Sequence, residues 1–374
     1  MKMGCRTTRH LVVGGGLAGS MLAMRLVDGG REVTLLEKER SAHHKVCGEF
    51  LSREAVDYLR EAGVEPLELG ARPIHSVKLS VKRRQVEARL PFAALSLSRH
   101  VLDEAMLARA ADRGCAVVRG AAVESLTKQD GVWLAELRDG QPWCAETVFL
   151  ASGKHDVRGL NRESGAQGDT VGFKLHWRLE PAQTQALRGF MELFLFRGGY
   201  GGLSLVEGDA ANLCLVVRRA QLRRLGGWNE LLATIRDENV ALRERLTGAT
   251  ALWDRPLAIS SIPYGHLAGR SDGLWCVGDQ AAVIPSFTGD GMSIALHSAA
   301  LAARMFLAGE SADAYHRKLE AQLGRGMGLA MMLSRIMVSG AGRRLAPFAL
   351  ALYPNAMQWI ARSTRISSHA TSRS

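Results

Sequence analysis

No two cysteines of this chain form a C-x-x-C pair; Cys5, Cys47, Cys115, Cys144, Cys214 and Cys276 are widely scattered. That spacing excludes a zinc ribbon or an iron–sulfur signature, and it predicts reduced, mostly buried thiols in a cytoplasmic protein with no bound metal. Long apolar runs are missing too, since none reaches the roughly 20 residues needed to span a bilayer. Residues 1–9 are polar and basic, so no signal peptide is expected and the first apolar run belongs to the fold. The basic excess, 48 Lys+Arg against 37 Asp+Glu for a net charge of +11, is dispersed and is not interleaved with aromatics in any nucleic-acid module. Nucleic acid is therefore not expected as a partner; an anionic substrate, an acidic carrier protein or a peripheral membrane surface is. The 374 residues are 47% hydrophobic and 23% charged, which suits an ordinary globular protein of two interleaved domains.

What is present is concentrated in three places. Residues 11–13 are a short apolar strand, Gly14, Gly16 and Gly19 occupy G-x-G-x-x-G, and Leu17 and Ala18 open a helix. Gly14 suits the tight turn, Gly16 lets a diphosphate approach the backbone, and Gly19 lets helix and strand pack closely. A second strand, residues 32–36, delivers Glu37, a carboxylate able to accept ribose hydroxyls, with Lys38 beside it. An acid at this place disfavours a ribose phosphate, so the unit suits FAD or NAD rather than NADP. No second G-x-G-x-x-G follows, which argues against a separate pyridine-nucleotide domain.

In the polar loop after Glu37, Lys45–Glu49, with Cys47 and Gly48 among them, is expected to line the cofactor, Gly48 permitting close approach; for Cys47 a packing role and a place at the cofactor face stand equal. A neighbouring pair such as His43 and His44 cannot readily chelate one ion, so no metal site is read there. Arg99, just before an amphipathic helix that runs to residue 110, is the cation best placed to return to the cofactor. The second place is Ser152-Gly153 at the end of an apolar strand. The third is Gly278-Asp279 at another strand end, followed by Gly289, Asp290, Gly291 and Met292 before a helix, where backbone N–H groups could hold a diphosphate or flavin carbonyls. Between the second and third, residues 171–267 are rich in Gly-separated strands.

These three units, in this order, resemble the flavoprotein superfamily that contains aromatic hydroxylases of the para-hydroxybenzoate hydroxylase type, flavin halogenases and geranylgeranyl reductases. The resemblance covers about residues 9–307. Lys45-Val46-Cys47-Gly48-Glu49, with Phe287-Thr288-Gly289-Asp290-Gly291-Met292, looks most like the geranylgeranyl reductase branch. It implies FAD, with the adenosine at Glu37, the diphosphate at residues 14–19 and Asp279, and the flavin ring near Cys47 and residues 289–292. Ser152 stands where the hydroxylases carry Asp, Met292-Ser293 where they carry Asn, and Trp253 and Trp275 stand alone without the paired tryptophans of the halogenases.

The expected fold is α/β: a Rossmann-like FAD-binding domain split over residues 1–73, 99–170 and 268–310, an antiparallel-sheet substrate domain over 74–98 and 171–267, and C-terminal helices over 311–374. Phe173, Trp177, Met191, Leu193, Phe194 and Tyr200 are the candidate walls of the substrate cavity, and Cys47, His176 and Tyr264, with His266 behind them, the catalytic candidates. The expected activity is that of an FAD-dependent oxidoreductase using NADH or NADPH as transient reductant. Compact length and the lack of an electron-partner motif favour a monooxygenase acting on a hydrophobic aromatic or polyketide-like compound. A geranylgeranyl-reductase-like enzyme reducing C=C bonds of an isoprenoid or lipid, and a nucleotide-binding protein without redox activity, are the alternatives.

Overall fold

The structure, a computed structural model, describes residues 4–160, 162, 165, 167–269 and 272–339. β1 (Arg6–Val13), α1 (Leu17–Asp28) and β2 (Val33–Glu37) open the chain as a βαβ unit, the strands pairing in parallel from His10 opposite Val33 to Val13 opposite Leu36. Residues 10–13 and the whole of β2 are buried, as strands covered on both faces must be. That burial is why they read as apolar runs rather than as alternations.

β3 (Phe50–Leu51) leaves for a second sheet, α2 (Arg53–Glu61) follows with Ser52 as its N-cap, and β4 (Arg72–Val81) and β5 (Arg84–Ser96) form a long hairpin. α3 (Arg99–Asp112), capped by Ser98, returns the chain to the first sheet. β6 (Ala116–Arg119), β7 (Val123–Gln129), β8 (Val132–Leu137) and β9 (Trp143–Leu150) complete the order β6-β2-β1-β9-β8-β7, with β7 and β8 antiparallel across Asp130-Gly131.

β10 (Thr170–Arg178), α4 (Pro181–Leu187), β11 (Gly189–Phe196), β12 (Gly199–Leu205), β13 (Ala211–Arg218), α5 (Arg219–Leu225), α6 (Trp228–Glu238), α7 (Val240–Arg245), β14 (Thr250–Ala251) and β15 (Leu257–Ser260) build the second sheet and its outer layer. Its order is β14-β10-β13-β12-β11-β4-β5-β3, with β15 on β10. This sheet is mixed rather than purely antiparallel, because β11 runs parallel to β4. Residues 228–246, a charged stretch whose apolar spacing reads as one helix, break at Asn239, whose side chain accepts from Leu242 N and starts α7 as an N-cap. The chain then re-enters the first sheet through β16 (Trp275–Cys276), parallel to β9, and ends its described part with α8 (Gly291–Leu307) and α9 (Ala312–Val338). The part of the expected C-terminal helices over 340–374 lies outside the described residues.

Strand alternation decides what faces the site. Phe173, Leu175 and Trp177 of β10, Phe194 and Phe196 of β11, and Leu213 and Leu215 of β13 share a core with Leu187, Leu231 and Leu242 of the outer helices. The intervening residues point the other way, and Leu195, Tyr200 and Val216 join the core built on α1, α3, α8 and α9. Of the expected cavity walls, Met191, Leu193 and Tyr200 therefore face the nucleotide-binding half, whereas Phe173, Trp177 and Phe194 are buried on the opposite side. The pattern shows that two faces differ, and only packing shows which face is which.

The expectation that all six cysteines are reduced is overturned at one pair. Cys5 and Cys144 form a disulfide, with their Cα atoms 6.0 Å apart. The cause is the parallel register of β1 and β9, which sets Arg6 opposite Trp143 and Thr7 opposite Cys144. A separation of 139 residues leaves no trace of this in the sequence. Cys47, Cys115, Cys214 and Cys276 are free thiols. Among the described residues no helix is long and apolar enough to cross a membrane.

Candidate functional site

The glycine turn lies at the C-terminal end of β1, where Gly14 N donates to Leu36 O at 2.8 Å. Two of its glycines are required by the protein itself. A Cβ on Gly14, whose φ is +110°, would sit 2.4 Å from Ala151 O, and one on Gly19 would sit 1.8 Å from Gly14 O. Gly16 is different. Its backbone is extended at φ −76°, and a Cβ there would stand at ordinary contact, 3.5 Å from both Arg99 Nη2 and Lys45 Nζ. The helix that Gly16 introduces has no side-chain cap on its first N–H groups, so those donors and the positive end of the helix dipole face the same space as the two cations.

Arg99 and Lys45 are held there by Asp103. Arg99 Nε and Nη2 reach its two carboxylate oxygens at 2.6 and 2.9 Å, and Lys45 Nζ reaches Oδ2 at 2.8 Å. Two cations against one carboxylate leave one net positive charge beside Gly16. Burial alone would push the Asp103 carboxyl up, but the Arg99 and Lys45 charges outweigh it and hold it below its ordinary value. Glu37 closes the other side: its Oε2 accepts from Gly15 N at 2.7 Å and its Oε1 from Glu39 N at 2.9 Å, which fixes the carboxylate at the end of β2. Lys38 points away to Glu39, 3.7 Å distant, and is half-exposed.

The other two motifs converge on the same edge of the first sheet. Gln280 Nε2 donates to Ser152 Oγ, Gly153 O and His155 O at 2.9, 2.8 and 2.9 Å, tying the strand ends of β9 and β16 together. Asp279 pairs with Lys154 at 3.6 Å, and its carbonyl accepts from Arg162 Nη1 at 2.9 Å. Gly278 N donates to Ser298 Oγ at 2.9 Å, and a Cβ on Gly278 would sit 2.9 Å from that of Ala18, so α1 and α8 close on this turn. Gly289, at φ +75°, abuts Phe50, and Asp290 and Gly291 begin α8, with Met292 buried just inside it.

The loop 45–49 bridges this edge and the second sheet. Cys47 is half-buried; its carbonyl accepts from Asn212 Nδ2 at 3.1 Å, and its Sγ accepts from Glu49 N at 3.4 Å. A Cβ on Gly48 would meet open space, so no protein atom demands a glycine there. Burial, then the neighbouring Cys47, pushes the Cys214 thiol up to about 12, which leaves it a neutral packing group. Glu49 is fully buried and accepts from Lys174 Nζ, from His176 Nε2 at 2.9 Å and from Arg99 N at 2.8 Å.

The three catalytic candidates do not form one constellation. His176 lies behind the loop on Glu49, its ring stacked on Trp253 with centroids 4.8 Å apart. Tyr264 lies on the far side, its Oη 3.0 Å from Ser286 Oγ, which is also 3.1 Å from Tyr200 Oη. Burial pushes the Tyr264 phenol up to about 12, so it is neutral at physiological pH. His266 Nε2 is 3.1 Å from Gln280 O, a contact to backbone at the strand end. His44, Glu49 and His176 present ligand atoms within 4.8 Å of one another, but the carboxylate already faces the Lys174 ammonium, which takes the place of a cation. Burial, with the Lys174 charge behind it, lowers the His44 ring to about 4.

The sequence pattern gave Asp103, Gln280 and Lys174 no place at the site, and it placed Glu49 in the cofactor-lining loop without its partners. Asp103 had only the signal of standing four residues after Arg99 on one helix. Lys174 and His176 alternate with apolar residues along β10, a pattern that ordinarily marks a solvent face, yet here that face is buried.

With this geometry in view, comparison with known proteins is direct. Residues 7–148 match the family model described as an FAD binding domain. Over those residues the chain carries an FAD binding domain. It is 26% identical to a menaquinone reductase of Mycolicibacterium smegmatis over 363 residues, covering 87% of this chain and 84% of that one. In fold it is similar to the flavin-dependent brominase Bmp2, with a TM-score of 0.79, 16% identity and coverage of 96% of this chain and 93% of that one. The myxobacterial chondrochloren halogenase CndH is also similar, with a TM-score of 0.77, 19% identity and coverage of 96% and 91%. The geometry of the site suits an FAD diphosphate on its own terms. Gly16 is the turn position where a side chain would enter the space before Arg99, Lys45 and the uncapped α1, which are the donors a diphosphate needs.

Proposed function

We propose that this flavoprotein is an FAD-dependent reductase of a carbon–carbon double bond in a hydrophobic isoprenoid or lipid, with NADH or NADPH as reductant. The observation that carries it is the seat of the 45–49 loop. The Lys-x-Cys-Gly-Glu stretch that resembles the geranylgeranyl reductase branch is tied by Lys45 to Asp103 at the diphosphate end and by Asn212, Lys174 and His176 to the second sheet, the same face of which carries the apolar Met191, Leu193, Leu195 and Val216. The similarity to menaquinone reductase along most of both chains supports the same reading and moves it ahead of the monooxygenase suggested by compact length and the lack of an electron-partner motif.

In this reading Arg99, Lys45 and the start of α1 would hold the diphosphate, and Glu37 would accept ribose hydroxyls. Bound FAD supplies two-electron redox chemistry. The apolar face excludes water from the reacting bond. Saturating one C=C bond consumes one NAD(P)H and one proton, and forms two C–H bonds and NAD(P)+. The neutral Tyr264 Oη, with Ser286 and Tyr200, holds a proton beside the turn that leads into Gly289. The basic surface suits approach to an anionic membrane or an acidic carrier.

The test is anaerobic incubation of the FAD-loaded protein with NADPH or NADH and a polyisoprenoid quinone, with product mass read directly. A gain of two hydrogens supports the proposal. Oxygen uptake matched to NAD(P)H oxidation with an aromatic substrate, without alkene reduction, would replace it with the monooxygenase. A protein that stays colourless after reconstitution with FAD would leave only nucleotide binding.

A further inference from the structure

Glu49 is bound more completely than a loop residue needs to be. Its side chain is fully buried and meets Lys174, itself fully buried, together with His176 Nε2 at 2.9 Å and Arg99 N at 2.8 Å. Its carbonyl accepts from Leu97 N at 3.2 Å and from Ser96 Oγ at 3.0 Å, and its own N–H donates to Cys47 Sγ. All of this is gathered at a backbone φ of +57°, a left-handed conformation that a non-glycine residue holds only where its surroundings enforce it. Lys174 and His176 belong to β10 of the second sheet, 125 and 127 residues away in sequence, whereas the loop is an outgrowth of the nucleotide-binding half. Asn212, on the neighbouring β13, binds the Cys47 carbonyl from the same sheet face.

We propose that Glu49 is a positioning residue: its ion pair with Lys174 and its hydrogen bond from His176 lock the 45–49 loop, and Cys47 with it, onto the substrate-side sheet. The place of Cys47 beside the cofactor site is then set by the sheet rather than by the domain from which the loop grows. Movement of β10 or β13 on binding an apolar substrate is transmitted to the loop through this lock. Trp253 and His44 cover it from outside, stacked on or against His176, and keep water from competing for the carboxylate. The proposal rests on the reading that the loop borders the cofactor.

The test measures alkylation of Cys47 by iodoacetamide in the full-length protein, with and without FAD, by peptide mass spectrometry; Cys276 serves as the internal control. Glu49→Gln leaves Lys174 buried without its partner and can fail to fold, so the deciding variant is the double substitution Glu49→Gln with Lys174→Met, which removes both charges at similar volume. His176→Phe keeps a ring against Trp253 and removes one donor. The lock predicts that Cys47 alkylation accelerates at least fivefold in the double variant and two- to fivefold in His176→Phe, with Cys276 unchanged. A Glu49 that merely balances charge would lower the melting temperature of the single variant and leave Cys47 rates within twofold of wild type in the double variant and in His176→Phe, which would overturn the proposal. Wild-type Cys47 unprotected by FAD would instead remove the loop from the cofactor, leaving the lock to be judged by the variants alone.

Discussion

Gly16 and Gly19 stand three residues apart in one turn, and alanine should separate their roles. At Gly19 a methyl would lie 1.8 Å from Gly14 O, so helix α1 or the turn must retreat by more than an ångström to reach ordinary contact. Overpacking of that kind costs about 1–3 kcal/mol or more, and because the struck atom is backbone, no rotamer change relieves it. At Gly16 the backbone is already in a region open to any residue, and a methyl meets only the ends of two flexible cations at 3.5 Å. Stability should therefore change by no more than about 0.5 kcal/mol. Binding should show the reverse order. The Gly16 methyl occupies the approach to the α1 amides, and losing one or two charge-assisted hydrogen bonds of about 1.5–3 kcal/mol each weakens FAD by roughly tenfold to twenty-thousandfold. Scanning fluorimetry of the FAD-free variants and FAD titration by flavin fluorescence read the two quantities independently. A Gly19→Ala protein that melts with the wild type, or a Gly16→Ala protein that binds FAD with wild-type affinity, would refute the assignment of the turn.

Asp103→Asn should destabilise the fold by about 3–5 kcal/mol, the usual cost of stripping the partner from a buried ion pair, and should also weaken FAD, as chemical denaturation and titration would show. Asp103 and Glu49 both have carboxyl groups held below their ordinary values by neighbouring cations. Their contribution to stability is thus fully present above the unfolded carboxylate range near about 4 and is lost as pH falls through the lower folded values. Acid unfolding of wild type should accordingly be steeper below about pH 4 than that of Asp103→Asn; equal slopes would discount the pair. Tyr264→Phe should cut kcat by about 10²–10⁴ if its phenol is the proton donor, with FAD affinity kept. Because that phenol is raised to about 12, wild-type kcat should stay flat to at least pH 10 at this group, and a turnover unchanged by the substitution would return Tyr264 to packing. Cys144→Ser opens a cross-link between residues 139 apart and should lower stability by about 2–4 kcal/mol; identical melting with and without reductant would show that the pair carries no stability.

The parts of the fold legible beforehand are those whose cause is local. α2 starts at its Ser52 cap and β8 follows the Asp130-Gly131 turn, signals that act within a few residues. The break at Asn239 escaped a reading of periodicity alone, since the apolar spacing of 228–246 continues across it while the cap interrupts the backbone. The groups named for the cofactor converge at one sheet edge, yet the residues that hold them, Asp103 and Gln280, carry no motif. Trp177 was expected to line the cavity and turned outward, while Lys174 on the same strand turned in.

The sequence by itself determined the nucleotide-binding turn, its helix, the acid at the end of β2 and the order of the three cofactor motifs. Steric limits on glycine and the reach of a helix dipole act over a few residues, so spacing alone reports them. Only the tertiary structure decided which face of β10 and β13 turns toward the nucleotide-binding half, that Glu49 and Lys174 meet at all, and that Cys5 and Cys144 are joined. A strand presents two faces of equal geometry, and ion pairs and disulfides form between residues more than a hundred positions apart; their partners exist only once the sheets have registered and packed.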